Sequence, residues 1–352
     1  MTTWAPSVNT LYRNAEMIGA RRVPRSISLR LGLSWGFGLP KDGRQGLTEY
    51  SFPLRSAPEA PEASDAIGLP ELLRQRGGLD IRGQADPDGN AMYDYLKATG
   101  DPVVAVVDSF YLPYRPAYGR VHSSRTVIVM RPEGDIVPVD DCWEPAYSGP
   151  LAIRHLEAAR RSPAAADPLL EPIFYGIRAE AEWFTVSVPP LQLDDPARWA
   201  VTTVGTLAAE IAAERQLPGT SFGLAAIREL VDMLAGQPEV VWEVIPRRTL
   251  ALVLRAELSS RRYLCTLLWN AGKIARSPAL VTAAERYQEG LRHFQAARDV
   301  LVKSLRHDRD VYDEFILARC RDALSNEEQL ATSIAAAGFP AVAVPEVAVW
   351  HA

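Results

Sequence analysis

The most regular pattern of apolar and polar positions lies in the middle of the chain, in residues 101–143. Three short runs rich in Val and Ile occur there, at residues 103–107, 126–130 and 136–139. Segments that contain Pro and Gly separate each run from the next. Short β-branched runs bounded by turn-forming residues predict the strands of an antiparallel sheet.

Polar side chains collect in the segments that connect these predicted strands. They are Asp108, Tyr111, Tyr114, Arg120, His122, Arg125, Asp140 and Asp141. Binding and catalytic residues occur disproportionately in loops and at strand ends that a rigid scaffold holds in place. We therefore predict that the functional site lies at the ends of the central strands.

The residues before the central strands predict helices, a strand and a loop. Residues 7–19 carry apolar side chains at a helical period, with a start signal at Pro6 and Ser7. Alternating apolar residues in 26–40 predict a strand, and the Pro- and Ala-rich segment 41–66 predicts a surface loop. Two short amphipathic helices are predicted at residues 69–76 and 91–99.

The second half of the chain is predicted to be mainly helical, after one extended piece at residues 182–190. Segments with apolar residues at i, i+3 and i+4 follow it. They are residues 199–215, 223–234, 245–258, 263–275, 278–306 and 310–324. A shift in composition at residues 159–168 predicts a boundary between a first domain, residues 1–162, and a mainly helical domain, residues 163–352.

Length, charge and cysteine content narrow the classes of function. The 352 residues suffice for two domains, and the net charge of −5 argues against a broad phosphate-binding surface and a nucleic-acid partner. The three cysteines are widely spaced, without a CxxC pair, which predicts reduced thiols rather than a metal site or a disulfide framework. The chain shows no signal-peptide pattern and no apolar run of about 20 residues, so we expect a cytoplasmic protein that does not span a membrane.

Several segments resemble the butirosin biosynthesis protein H family. The central motif of that family's N-terminal domain is approached by DPVVAVVDSFYLPY, VHSSRTVIV and VPVDD. Its upstream segments are similar to SVNTLYRN and LGLSWGFGL, and its helical C-terminal domain is similar to FGLAAIREL and SSRRYLCTLLWNAGKIARSP. The resemblance covers most of residues 5–305. It implies an α+β fold, with an antiparallel sheet in a papain-like (C39-peptidase-like) N-terminal domain and a mainly α-helical C-terminal domain.

The resemblance also implies chemistry in the biosynthesis of specialised metabolites such as antibiotics. The named member resembles an acyltransferase that moves an acyl group from a carrier-protein thioester to an amine. That chemistry uses a Cys nucleophile, a His base and an Asp that orients the His. In this chain the three positions hold Ser7, Arg125 and Asp140. An Arg side chain stays protonated at neutral pH, so His122 would have to act as the base, within hydrogen-bond reach of Ser7.

The residues at these positions leave several interpretations open. Ser7 is a degenerate nucleophile, a group that hydrogen-bonds the substrate, or the N-cap of the first helix. Arg125 forms an ion pair with Asp140, or binds an anionic group such as a carboxylate, phosphate or sulfate. Asp140 and Asp141 act as a base and its orienting partner, or they shape a turn.

The remaining candidates belong to the walls of the predicted cleft. Asp108, Tyr111 and Tyr114 are predicted to line its mouth and bind substrate, although tyrosines also pack at strand ends without a binding role. Cys142 is interpreted as a buried thiol rather than a reactive one.

Two functions from different classes follow. In the first, the protein is a cyclase or acyltransferase that acts on an amino-acid-like intermediate tethered to the phosphopantetheine arm of a carrier protein. It needs no other cofactor, and Asp140 or Asp141 with Arg125 supports ring closure or acyl transfer without a Cys nucleophile. In the second, the chain is an inactive pseudoenzyme that binds a carrier protein, a partner subunit or a second copy of itself.

Overall fold

The computed structural model describes most of the chain in several ranges. They are residues 10–22, 38–40, 79–84, 86, 90–142, 145–162, 181–188, 196–212, 216–217, 220–236, 241–242, 247–307 and 312–339. The predicted helix start at Pro6 and Ser7, most of the predicted strand at residues 26–40, the loop at residues 41–66 and the helix at residues 69–76 lie outside these ranges.

The described residues form an α+β protein. In chain order the helices and strands are α1 (Thr10–Arg22), β1 (Gly38–Pro40), β2 (Asp80–Gln84), α2 (Ala91–Thr99), β3 (Val103–Asp108), β4 (Ser124–Val129), β5 (Ile136–Asp141), β6 (Tyr147–Ala152), α3 (Ile153–Arg160), β7 (Trp183–Ser187), α4 (Pro196–Ala212), β8 (Gln216–Leu217), β9 (Thr220–Phe222), α5 (Gly223–Gly236), α6 (Arg247–Ile274), α7 (Pro278–Gly290), α8 (Arg292–His307) and α9 (Asp313–Ala336).

Six strands form one antiparallel sheet in the order β2-β7-β3-β4-β5-β6. The three strands predicted from the Val- and Ile-rich runs are confirmed as β3, β4 and β5. The predicted extended piece at residues 182–190 is confirmed as β7, which lies between β2 and β3 inside this sheet. Because β7 follows residue 162, the sheet continues beyond the boundary predicted there.

Helices cover both faces of the sheet. Successive side chains of a strand point to opposite faces. Val104, Val106 and Ile128 therefore pack with Ala15 and Ile18 of α1. We call this side the α1 face of the sheet. Odd-numbered residues of β3, β4 and β5 pack on the opposite face with the apolar residues of α2 and α3.

α4 and the helices after β9 form a bundle with its own apolar core. The predicted helices at residues 245–258 and 263–275 are one continuous helix, α6, because the intervening residues include no Pro or Gly. The predicted helix at residues 278–306 is two helices, which meet at Gly290 and Leu291. Among the described residues, β1 pairs with β9, and Tyr263 of α6 joins the core of the α1 face, so both contacts connect the bundle to the first half of the chain.

Candidate functional site

The predicted polar candidates lie at one end of the six-stranded sheet. β3 ends at Asp108, which pairs with Ser124 at the beginning of β4. β5 ends at Asp141, which pairs with Tyr147 at the beginning of β6. Arg125 and Asp140 are one residue inside these strand ends, so four predicted site residues share one end of the sheet.

The same residues are divided between the two faces of the sheet. Asp140 is the register partner of Ile128, so it lies on the α1 face. Arg125 and Asp141 lie on the opposite face, because they alternate with the residues of the α1 face. The guanidinium of Arg125 donates from Nη2 to Oδ1 of Asp141 at 2.8 Å. Asp141, rather than the predicted Asp140, is therefore the ion-pair partner of Arg125.

A polar cluster on the α1 face joins the first helix to the ends of β4 and β5. Asn14 is fully buried and donates to the hydroxyl of Thr126 at 3.0 Å. The thiol of Cys142 donates to Oδ1 of Asn14 at 3.2 Å. Ile18, one turn further along α1, is buried in the apolar core of this face. The N-terminal end of α1 therefore points toward the sheet end that holds the candidate residues, while Ser7 itself lies outside the described residues.

Asp140 and Cys142 differ in what they offer chemically on this face. Asp140 is 5% exposed and accepts a hydrogen bond from the hydroxyl of Ser148 at 2.5 Å, across the β5–β6 pair. Burial, and then the nearby carboxylate of Asp141, raises the pKa of the Cys142 thiol to about 11. Cys142 therefore stays protonated at neutral pH, whereas the side chain of Asp140 is held in a fixed orientation by Ser148.

Asp108 and His122 form a second, separate cluster at the end of β3. Oδ2 of Asp108 lies 2.6 Å from Nδ1 of His122 and accepts from the hydroxyl of Ser162 at 2.5 Å. Oδ1 of Asp108 accepts from the backbone N–H groups of Phe110 and Ser123, each at 3.0 Å. These contacts fix both ends of the loop 109–123, which begins with a short 3-10 turn at Ser109–Tyr111.

The environment of His122 indicates a structural role in that loop. Its ring is 4% exposed and stacks on Phe110, with ring centroids 4.0 Å apart and an interplanar angle of 9°. An Asp that holds Nδ1 of a His is an arrangement also used by catalytic triads. Here the nearby serine, Ser162, donates to the same oxygen of Asp108 that contacts the imidazole.

A third cluster surrounds Asp141 on the face opposite α1. Arg115 donates to the carbonyl of Pro145 at 2.7 Å and lies 3.7 Å from Oδ2 of Asp141. Tyr114 stacks on Tyr147 with ring centroids 4.0 Å apart. Burial raises the pKa of the Tyr114 hydroxyl and lowers the pKa of Arg125. The Arg125–Asp141 ion pair is buried, which indicates that it holds the ends of β4 and β5 together.

Tyr111 lies beside the Asp108–His122 cluster, over an open groove along α3. The groove has a volume of about 510 Å³ and is lined by Tyr111, Glu157, Ala158 and Arg161. The rings of Tyr111 and His122 are 6.0 Å apart. Ser162 and Arg115, which complete two of the clusters, carry no sequence pattern that separates them from other Ser and Arg residues.

The helical bundle is connected to α1 by a buried tyrosine. The hydroxyl of Tyr263 donates to Oε2 of Glu16 at 2.8 Å, and Arg13 pairs with the same carboxylate. Burial, and then the negative charge of Glu16, raises the pKa of Tyr263 well above its usual value. This contact ties α6 to the helix whose first turn points at the candidate site.

Removing the Tyr263 hydroxyl is expected to lower the free energy of unfolding by about 1.5 kcal/mol, because a hydrogen bond to a charged group is lost. Urea unfolding of Tyr263→Phe, Glu16→Gln and the double variant should give a coupling energy of about 1 kcal/mol. Tyr147→Phe is the matched control, because its hydroxyl bonds to the carbonyl of Pro150 at an exposed position. Additive effects of the two substitutions would contradict the proposed connection.

A scan against protein-family models and a search of curated proteins each found no match to this chain. In the described ranges, no group of three or more His, Cys, Asp and Glu side chains is arranged to hold a metal ion. None of the helices in that part of the chain is both long and apolar enough to cross a membrane. The likeness to the butirosin biosynthesis protein H family therefore rests on the sequence motifs.

Proposed function

We propose that this protein is a tailoring enzyme of specialised-metabolite biosynthesis with a papain-like N-terminal domain. Its substrate is an amino-acid-like intermediate tethered to a carrier protein. One observation supports this most: the N-terminal end of α1 points toward the strand ends at which Asp140 lies on the same face. A helix N-terminus beside a fixed carboxylate combines a partial positive charge with a proton acceptor.

In the proposed reaction, an amine attacks an electrophilic carbon of the tethered cargo and Asp140 accepts the proton that the amine loses. In acyl transfer, the C–N bond forms as the C–S bond of the thioester breaks, and the thiol of the arm leaves. In ring closure, the amine and the leaving group belong to the same cargo, which stays attached to the arm. Neither route needs a nucleophile from the protein, consistent with Ser at position 7.

The other predicted catalytic residues support the site in this proposal without contacting the reacting atoms. Arg125 is neutralised by Asp141 on the opposite face of the sheet, so it holds the strand end that carries Asp140. His122 and Asp108 fix the loop 109–123. Ser148 orients the carboxylate of Asp140 through the hydrogen bond at 2.5 Å.

Asp140→Asn is expected to lower turnover at least about 100-fold, because the amide cannot accept the proton. The assay incubates the protein with a panel of phosphopantetheine-bearing carrier proteins loaded with aminoacyl and acyl cargo, and follows cargo mass by intact mass spectrometry. Asp135→Asn, which changes an exposed carboxylate in the turn between β4 and β5, is the matched control. Full turnover by Asp140→Asn would overturn the assignment.

A second candidate function is a non-catalytic subunit that binds a carrier protein or a partner enzyme. The internal contacts of the α1 face favour it: Cys142 is held as a protonated thiol, and Asp140 is already bonded to Ser148. Tight binding of a loaded carrier with no change in cargo mass, in both the wild type and Asp140→Asn, would select this function.

A further inference from the structure

Large apolar side chains are exposed next to arginines on the outer side of α3. Tyr118 is 45% exposed and Val121 is 36% exposed, both in the loop 109–123. Arg120 lies between them in the sequence and is exposed as well. Tyr and Arg are the side chains most enriched in protein–protein interfaces, and exposed apolar groups beside them mark a contact surface.

The outer side of α3 extends this surface. Arg154 lies in the first turn of α3, and Arg161 is the C-cap residue at which the helix ends, seven residues later, with Ala158 between them. The ring of Tyr118 meets His155 edge-on, with centroids 6.2 Å apart. The groove of about 510 Å³ beside Tyr111 lies along the same helix. We call the surface formed by Tyr118, Arg120, Val121, Arg154 and Arg161 the arginine face.

The arginine face is locally positive on a protein whose net charge is −5. Arg161 is 47% exposed, although it pairs with Glu157 at 3.0 Å. Glu157 is also shared with the buried Arg160, which pairs in addition with Asp86. The backbone carbonyl of Asp135 accepts a hydrogen bond from the N–H of Ile153, the first residue of α3. The exposed carboxylate of Asp135 therefore lies near the beginning of this helix. Arg160 and Asp86 are both buried, so three exposed arginines, Arg120, Arg154 and Arg161, stand against the two carboxylates of Glu157 and Asp135 here.

We propose that the arginine face is the docking surface for an acidic protein partner, which binds around Tyr118 and Val121. Under the proposed function, on which the partner's identity rests, that partner is the carrier protein. Complementary charge favours an acidic partner at this face, although the protein's overall charge opposes one. The surface also adjoins the loop that Asp108 fixes at the candidate sheet end.

A charge-reversal variant separates docking from chemistry. We expect the triple variant Arg120→Glu, Arg154→Glu, Arg161→Glu to raise the KM for a loaded carrier at least about tenfold and to make binding less sensitive to salt. Turnover of the same cargo on free pantetheine should stay unchanged, because Asp140 is untouched. The control replaces three arginine or lysine residues exposed in the helical bundle, Arg292, Lys303 and Arg321, with Glu and gives the same net charge.

The outcomes distinguish this inference from the proposed function. Equal KM values for the wild type and the triple variant would show that the arginine face is not the docking surface, but they would not contradict the proposed enzyme activity. A wild type that neither binds nor alters any loaded carrier would overturn the proposed function and the docking inference with it. If the triple variant loses binding to single-stranded DNA that the wild type shows, and keeps its binding to the carrier, the face binds nucleic acid instead. If the Glu variant folds poorly, the triple Arg→Gln variant replaces it.

Discussion

Replacing Arg261 with Met is expected to lower the free energy of unfolding by about 3–5 kcal/mol, because it leaves buried carboxylates without their countercharge. Arg261 is fully buried in α6, where it pairs with Glu257 one turn away and donates to Glu327 of α9 at 2.5 Å. Glu327 also accepts from the hydroxyl of Tyr287 at 2.7 Å. Met fills much of the same volume, so the effect reports the charge.

Urea unfolding followed by far-UV circular dichroism measures the effect of Arg261→Met, since helices dominate that signal. Arg228→Met is the matched control, because Arg228 pairs with Glu328 of the same helix, α9. That pair is about 40% exposed on both sides and should contribute no more than about 1 kcal/mol. Equal losses in the two variants would show that the buried network does not specify the packing of α6 against α9.

The strands of the sheet were predictable because the chain marks them with apolar residues. β3 is buried along its whole length, so every position in the run is apolar and bounded by turn signals. The sequence does not predict β2, because β2 is an edge strand among the described strands and carries Asp80, Arg82 and Gln84 at its more exposed positions. An edge strand of this kind lacks the apolar run on which the prediction depends.

The candidate residues share one end of the sheet, as the sequence predicts, but the sequence does not show how they divide between its two faces. The face to which a side chain points can be predicted from sequence when one face of the strand is polar, because apolar and polar residues then alternate along the strand. β4 has helices on both faces, and Val127, Ile128 and Val129 are all buried. Its sequence therefore does not show that Arg125 and Asp140 point to opposite sides.

The partners that complete the clusters depend on long-range packing that no local pattern encodes. Ser162 reaches Asp108 across 54 residues of sequence, and Asn14 reaches Thr126 across 112. The helical bundle gives a second example of contacts that local sequence does not predict. Glu257 and Arg261 are one helical turn apart, a spacing that is typical of an ion pair on a helix surface. Burial by α9 and the approach of Glu327 turn that pair into a core network.

The stability of this bundle is expected to fall as pH rises from about 4.5 to about 7. Burial, partly offset by Arg261 and reinforced by Glu327, raises the pKa of Glu257 from 4.5 to about 7. The folded state therefore holds a proton that the unfolded state releases at lower pH. The resulting contribution is fully present below pH 4.5 and is lost by about pH 7, for a total of about 3 kcal/mol.

Glu257→Gln isolates this contribution, because the amide keeps the shape of the side chain and does not titrate. The neighbouring Tyr287 and Cys265 do not titrate in this range, because burial raises the pKa of both groups well above neutrality. The pKa of Asp86 is lowered, so its contribution to stability increases as pH rises. This contribution is the same in the wild type and the variant, and it cancels in their difference. The difference in unfolding free energy between wild type and variant should therefore decline by about 3 kcal/mol from pH 4.5 to pH 7. If the plots of unfolding free energy against pH are parallel for the wild type and Glu257→Gln, Glu257 is ionised throughout that range. The charge of Arg261 then outweighs the cost of burying the carboxylate.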